Sequence, residues 1–303
     1  MTARLSLPSC LVFMLSAPAP AADLDLTRAV VVTPPGLSGP AAKAVQMLAE
    51  EVEARSMVRW DRAEKWPAAG TPVVVVGPAD EVRKLLDRQG VRLPAPAQPR
   101  PESYQIGVAA AGATPVVWVA GNDARGVLFG VGRLLRELRL NRLKVTLPDG
   151  FNEESAPTTP LRGHQIGYRP KTNSYDGWTV AMWEQYVRDL AVFGCNAVEL
   201  IPPRSDDAAD SPLFPLPPLR MMAEVSRIAD EYGLDVWVWY PAMDRDYADP
   251  KTVEFALKEW GEVFQALPRV DAVFVPGGDP GHTRPKVLFD LLEKQAANLK
   301  KYH

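Results

Sequence analysis

Cysteine and histidine are scarce in this chain of 303 residues, which holds two of the first and three of the second. Cys10 falls in an N-terminal stretch built like a signal peptide. Arg4 supplies the positive start, Leu5 to Leu15 the apolar middle, and Ala19-Pro-Ala21 the small residues before a cut near Ala22. Removal of residues 1–22 leaves Cys195 alone, which excludes an intramolecular disulfide and a cysteine-based zinc site. The histidines lack HxxxH spacing, so no metal and no cofactor is expected. A positive excess is missing too. With a net charge of −3 the chain has no electrostatic footprint for nucleic acid. The N-terminal apolar run is too short to span a membrane, so the expected location is secreted or periplasmic.

Proline, by contrast, is abundant: 30 residues, about twice the usual share. With 47% apolar and 23% charged residues the composition is that of a soluble protein with a sizeable core. Length alone suggests two domains. Residues 23–150 alternate short β-branched runs (Ala29–Thr33, Pro72–Gly77), a hairpin (Ser103–Val108 with Pro115–Ala120) and helical patterns near 40–56, 80–89 and 123–140. This predicts a small α+β sandwich. No GxGxxG follows the first strand, which removes support for a dinucleotide fold. Gly126, Gly130 and Gly132 lie inside a helix pattern and read as points of close packing. Residues 151–160 read as a linker.

From Leu161 the rhythm becomes strand-then-helix. Runs at 162–168, 197–201, 235–240 and 271–275 each precede a helix pattern, at 180–193, 219–232, 250–267 and 286–301. The fold class is therefore α/β, with residues 161–303 an incomplete (β/α)8 TIM barrel of about four βα units. A whole barrel takes roughly 250 residues, so a truncated chain is the expectation, with self-association through the half-barrel edges as its corollary.

In such folds chemistry sits at the carboxyl ends of strands. There the fourth run ends in Gly277-Gly-Asp279-Pro-Gly-His282, which makes Asp279 the first choice for a catalytic carboxylate and His282 a neighbouring ligand. The bland alternative for Asp279 is a turn residue between glycine and proline. Glu199 interrupts an apolar strand, where a carboxylate needs a partner. It either serves the site, pairs inside the barrel with Arg162 or His164, or points outward. His164 and Gln165 face opposite sides of the first strand, and a satisfied core histidine competes with a sugar ligand at His164. Tyr240 ends the third strand and is a candidate stacking surface, as are Trp237 and Trp239 on the other face. Cys195 reads as inert core.

Two segments carry a resemblance. Glu102-Ser-Tyr-Gln-Ile leading into Asp123-Ala-Arg-Gly-Val-Leu-Phe-Gly resembles the small domain that precedes the barrel in glycoside hydrolase family 20 and in α-glucuronidases. Leu161-Arg-Gly163, then Phe193-Gly-Cys-Asn196, then Gly277-Gly-Asp279 is similar in order to the barrel motifs of bacterial β-hexosaminidases. The resemblance implies a glycosidase fold, with Arg162 holding sugar hydroxyls and Asp279 orienting a substrate acetamido group in substrate-assisted hydrolysis. Pro280 stands where that family has its proton-donating glutamate, and Ile201-Pro-Pro-Arg-Ser-Asp206-Asp207 replaces its pattern after the second strand. The expected protein is a glycosidase-like enzyme acting on an amino-sugar- or uronic-acid-containing glycan. A non-catalytic carbohydrate-binding protein and an inactive fragment are the alternatives, and a metal-dependent α/β hydrolase is more distant.

Overall fold

The computed structural model describes residues 23–96, 98–166, 175–204, 210–276 and 283–303. Its first unit is a six-stranded sheet in the order β3-β2-β4-β6-β5-β9. The strands are β2 (Val30–Val32), β3 (Asp61–Ala63), β4 (Val73–Pro78), β5 (Tyr104–Ala111), β6 (Thr114–Gly121) and β9 (Glu153–Ser155). β3, β2, β4 and β6 run parallel, while β5 runs antiparallel to its two neighbours, β6 and β9. Helices α1 (Gly39–Ser56) and α3 (Ala124–Glu137) cover one face and α2 (Ala79–Asp87) the other. This explains the unbroken valine run of β4. Val74 and Val76 enter the α1/α3 core, and Val73 and Val75 the α2 core, so both faces of the strand are buried.

The glycines of α3 act as the sequence pattern implied. A Cβ on Gly130 would stand 2.6 Å from Val119, and one on Gly132 would stand 2.8 Å from the backbone of Val192. The helix therefore lies almost in contact with the sheet on one side and with the second unit on the other. At the ends of β2 and β4, where an α/β sheet commonly opens a ligand crevice, Pro34 fills the space. Its ring would lie 2.8 Å from a Cβ on Gly77.

Two elements were not anticipated. A second sheet, β1-β8-β7, joins β1 (Leu24–Asp25) to the hairpin of β7 (Arg139–Asn141) and β8 (Lys144–Leu147). The helix pattern expected to reach Leu140 stops at Glu137, because Leu138 turns to extended backbone (φ −60, ψ 131) and starts the hairpin. β9 falls inside the expected linker, where it hydrogen-bonds to β5 as an edge strand.

The second unit holds β10 (Gly163–Ile166), β11 (Ala197–Leu200), β12 (Asp235–Trp239) and β13 (Ala272–Phe274), all parallel and in sequential order. Helices α4 (Val180–Val192), α5 (Pro218–Glu231), α6 (Pro250–Ala266) and α7 (Pro285–Leu299) follow them in turn. The four βα units form an arc of a (β/α)8-type barrel. The two units share one apolar core, which runs from Leu48 and Leu128 to Val198, Val236 and Phe264. Ion pairs edge it: Arg188 on α4 donates to Glu50 and Glu51 on α1, and Lys43 lies 2.9 Å from Glu184. No helix among the described residues is long and apolar enough to cross a membrane.

Candidate functional site

Strand register sorts the side chains of the second sheet into two faces. Val198 and Val236, then Ile166, Leu200 and Val238, are buried. The opposite face carries Gln165, Glu199, Trp237 and Ala272 in one row, then Trp239 and Phe274 a step nearer the carboxyl ends. This face is open: Gln165 is exposed, Glu199, Trp237 and Trp239 are half-buried, and Phe274 is 47% exposed.

Glu199 thus lies on the open face. Its Oε1 accepts a hydrogen bond of 2.7 Å from Gln165 Nε2, and in register it lies between Gln165 and Trp237. Neither Arg162 nor His164 is its partner. The row presents a carboxylate between an amide and an indole, with two more aromatic rings beyond, so it offers hydrogen-bond acceptors beside flat apolar surface.

His164 faces the helices. Its Nε2 is 2.7 Å from the Tyr186 hydroxyl, and the two rings meet edge to face at 5.7 Å. Burial, with the adjacent Tyr175 hydroxyl 3.3 Å away, pushes the Tyr186 phenol well up. His164 is half-buried on the helix side of the sheet, with Tyr186 as its hydrogen-bond partner, and it is not on the open face with Glu199. Tyr240 is also placed differently from the expectation of a stacking surface. It is 2% exposed and lies on Trp260 with centroids 3.9 Å apart and planes at 20°. Burial drives its hydroxyl far above the usual tyrosine value. A ring sealed between strand and helix cannot meet a sugar. Trp237 and Trp239 occupy the accessible side instead.

Arg162 stands at the amino end of β10, away from the edge where chemistry collects. Its Nη2 donates to Glu102 at 2.6 Å, its Nε to the Gly194 carbonyl at 2.8 Å and its Nη1 to the Thr159 carbonyl at 2.9 Å. Phe129 lies beneath the guanidinium. These partners make Arg162 a joint between the two units rather than a sugar anchor. Glu102 is the joint's centre. It is 8% exposed, adopts φ +64, and also accepts from Arg125 Nη1 at 3.1 Å and Asn196 Nδ2 at 3.1 Å. Burial acts to raise its pKa, but the bonds from Asn196, Arg162 and Arg125 outweigh it and hold the carboxyl below its ordinary range. Arg125 extends the network to Asp235, and Asp123 caps α3 while accepting the Glu102 backbone N–H at 2.7 Å.

Asp279 and His282, together with Pro280, lie outside the described residues, as do Tyr168, Arg169, Asp206 and Asp207. Sequence reasoning passed over a cluster that ties the segments after β11 and β12. Arg204 Nη2 is 2.6 Å from Asp244, its Nε is 3.0 Å from Glu259, and Tyr247 donates to Asp244 at 3.1 Å. Burial raises the Glu259 pKa against the pull of Arg204, and Asp244 and Glu262 add to the rise. The signal was an arginine directly after Ile201-Pro-Pro, a cation at a strand's carboxyl end with acids one unit later. Among the described residues no group of three or more His, Cys, Asp or Glu side chains is arranged to hold a metal ion.

No protein-family profile and no curated protein matches this chain. Solved structures do. The family 20 β-N-acetylhexosaminidase of Streptomyces coelicolor superposes with a TM-score of 0.63 at 13% identity, over 94% of this chain and 64% of that one. A family 115 4-O-methyl-α-glucuronidase with specificity for decorated arabinogalactans gives 0.62 at 15%, over 92% and 41%. The family 20 exo-β-N-acetylglucosaminidase of Vibrio harveyi, in its inactive D437A form, gives 0.63 at 12%, over 98% and 55%. The chain therefore has a family 20-like glycosidase fold, in agreement with the resemblance of its motifs, and it spans less than two thirds of each of these proteins. At such identities the likeness concerns the fold.

Proposed function

We propose that this chain is the small domain and first barrel arc of a glycoside hydrolase, acting on a glycan that contains amino sugars or uronic acids. The observation that carries the reading is the open face of the second sheet, where Glu199, Gln165, Trp237 and Trp239 put a carboxylate, an amide and indoles on one surface of a glycosidase-like fold. The sugar classes come from the neighbours, β-N-acetylhexosaminidases on one side and an α-glucuronidase on the other. Fold alone is a weak warrant for activity, so the site residues bear the weight. In this reading Asp279 orients an acetamido group or acts as the acid, His282 follows it three positions on in the sequence as a further ligand, and Glu199 accepts hydrogen bonds from sugar hydroxyls. The signal-peptide-like start supports export from the cell.

Hydrolysis of 4-methylumbelliferyl glycosides of N-acetylglucosamine and glucuronic acid tests this. Release of the fluorophore by the full chain, lost in Asp279→Asn and weakened in Glu199→Gln, is the expected result. A second reading rests on Pro280: a protein that keeps the sugar contacts without a proton donor. It gives glycan binding by calorimetry with no turnover, and binding indifferent to Asp279→Asn. Absence of both turnover and binding refutes both.

A further inference from the structure

A cleft of about 360 Å³ lies on the joint between the two units, at the amino end of β10. Its open wall is a cation stacked on an exposed ring. Phe193, the C-cap of α4, is 72% exposed, more than any other large apolar side chain described. The Arg136 guanidinium stands over that ring, 5.4 Å from its centroid. Arg136 belongs to the last turn of α3, where a cation suits the helix dipole. That accounts for its charge but not for its donors. Among the described residues the guanidinium has no carboxylate partner and makes no hydrogen bond.

The acids around it are taken. Glu102, the carboxylate of the lining, is held by Arg162. Glu137 and Glu153 pair with Arg133 at 2.8 and 3.5 Å. Glu154 lies on the other face of the sheet with Gln105. Arg136, Arg133, Arg162, Glu102, Glu137 and Glu153 together carry no net charge, so bulk charge attracts nothing here. What stays unspent is the donor fork of Arg136. Beside it Phe193 and Pro157 give apolar surface, and Thr158 and Thr159 line the cleft with hydroxyls that have no hydrogen-bond partner among the described residues. Apolar walls with a few convergent polar groups, at a domain junction and of this volume, describe a small-molecule site.

The combination selects the ligand. A guanidinium fork takes a carboxylate through two parallel hydrogen bonds. A flat aromatic ring takes the apolar face of a sugar ring, and threonine hydroxyls exchange hydrogen bonds with sugar hydroxyls. An inorganic anion uses the fork alone, and a neutral sugar leaves it empty. We propose that this cleft is a second sugar site that holds a hexuronic acid unit, with its carboxylate on Arg136, its ring against Phe193 and Pro157 and its hydroxyls toward Thr158 and Thr159. The length of the barrel strands separates it from their carboxyl ends. It would grip an acidic part of a long glycan away from the open sheet face. The choice of sugar rests on the glycan reading above; the fork, the ring and the hydroxyls do not.

Ligand-observed NMR titration of the full chain with glucuronate, glucose and inorganic phosphate tests it. The expected result is glucuronate binding with a dissociation constant on the order of 1 mM, and binding of glucose and of phosphate at least ~10-fold weaker. Arg136→Gln should weaken glucuronate binding at least ~10-fold, and Arg136→Lys, which keeps the charge without the fork, should fall between that variant and the parent. Phe193→Ala should weaken it about 5-fold. Both side chains are exposed, so these variants should melt with the parent. Glu199→Gln and Asp279→Asn should bind glucuronate as the parent does. Phosphate binding equal to that of glucuronate overturns the proposal, as do absence of glucuronate binding and unchanged binding in Arg136→Gln. Loss of glucuronate binding in Glu199→Gln with none in Arg136→Gln overturns it while leaving the reading of the open face intact.

Discussion

Replacement of Glu102 is the sharpest test of how the two units are joined. Its carboxylate is nearly buried and accepts from Arg162, Arg125 and Asn196. Removing one partner of a buried, hydrogen-bonded ion pair costs about 3–5 kcal/mol, because the other charge is left without compensation. Here the lower end applies. Arg162 keeps the Gly194 and Thr159 carbonyls, and Arg125 keeps Asp235 and the Gly233 carbonyl. Glu102→Ala should therefore lose about 3 kcal/mol, and Glu102→Gln, which keeps an acceptor oxygen but not the charge, about 1–2 kcal/mol. Glu102→Gly should lose roughly 1 kcal/mol less than the alanine variant, since φ +64 suits glycine. The assay is urea unfolding followed by circular dichroism at several pH values. Because the folded carboxyl titrates below the ordinary glutamate value of 4.5, its contribution is present above that value and disappears as pH falls through the depressed one. The gap between wild type and Glu102→Ala should be full at neutral pH and narrow in acid. A loss below about 0.5 kcal/mol at neutral pH, or one undiminished in acid, would refute the account of the joint.

Glu259→Gln should act in the opposite sense. A carboxyl whose folded pKa is raised favours folding while protonated, and that contribution is lost as pH climbs above the unfolded value of 4.5. The glutamine variant should thus match wild type in acid and exceed it by up to about 1 kcal/mol at neutral pH, read as a shift in melting temperature. Gly107→Ala should destabilise by about 3 kcal/mol, because its Cβ would stand 2.1 Å from the Trp118 ring, and the loss should shrink when combined with Trp118→Val. Trp260→Ala should lose about 3–5 kcal/mol and the near-ultraviolet signal of the Tyr240 stack, while Tyr240→Phe should bind any sugar ligand as wild type does.

Much of the architecture was legible because apolar periodicity reports burial directly. The runs at 197–201 and 235–240 are strands with one face buried, and their helices fall within a few residues of the expected bounds. What stayed hidden depends on partners distant in sequence. Glu153-Glu154-Ser155 has no apolar alternation and becomes a strand through backbone bonds to β5. The β7–β8 hairpin follows a helix without a glycine or proline to mark the break, since the stop is a backbone turn at Leu138. At the site, alternation separated His164 from Gln165 and Tyr240 from the tryptophans, yet it carries no sign that tells which face meets the helices. Arg162 was misjudged for a related reason. A strand's sequence gives its residues but not which end a long side chain serves, and here the receptor is Glu102, 60 positions earlier.

That separation gives the joint a direction in time. Domains tend to fold from the N-terminus as the chain emerges from the ribosome, and Glu102 is made 60 residues before Arg162 and 94 before Asn196. Once β5, β6 and α3 have closed, Asp123 already holds the backbone on which the Glu102 carboxylate is mounted. The first two barrel strands meet that carboxylate through residues at their starts: Arg162 before β10 donates to it, and so does Asn196 before β11. The order of synthesis therefore puts the acceptor of the joint in the chain before either of its partners from the barrel.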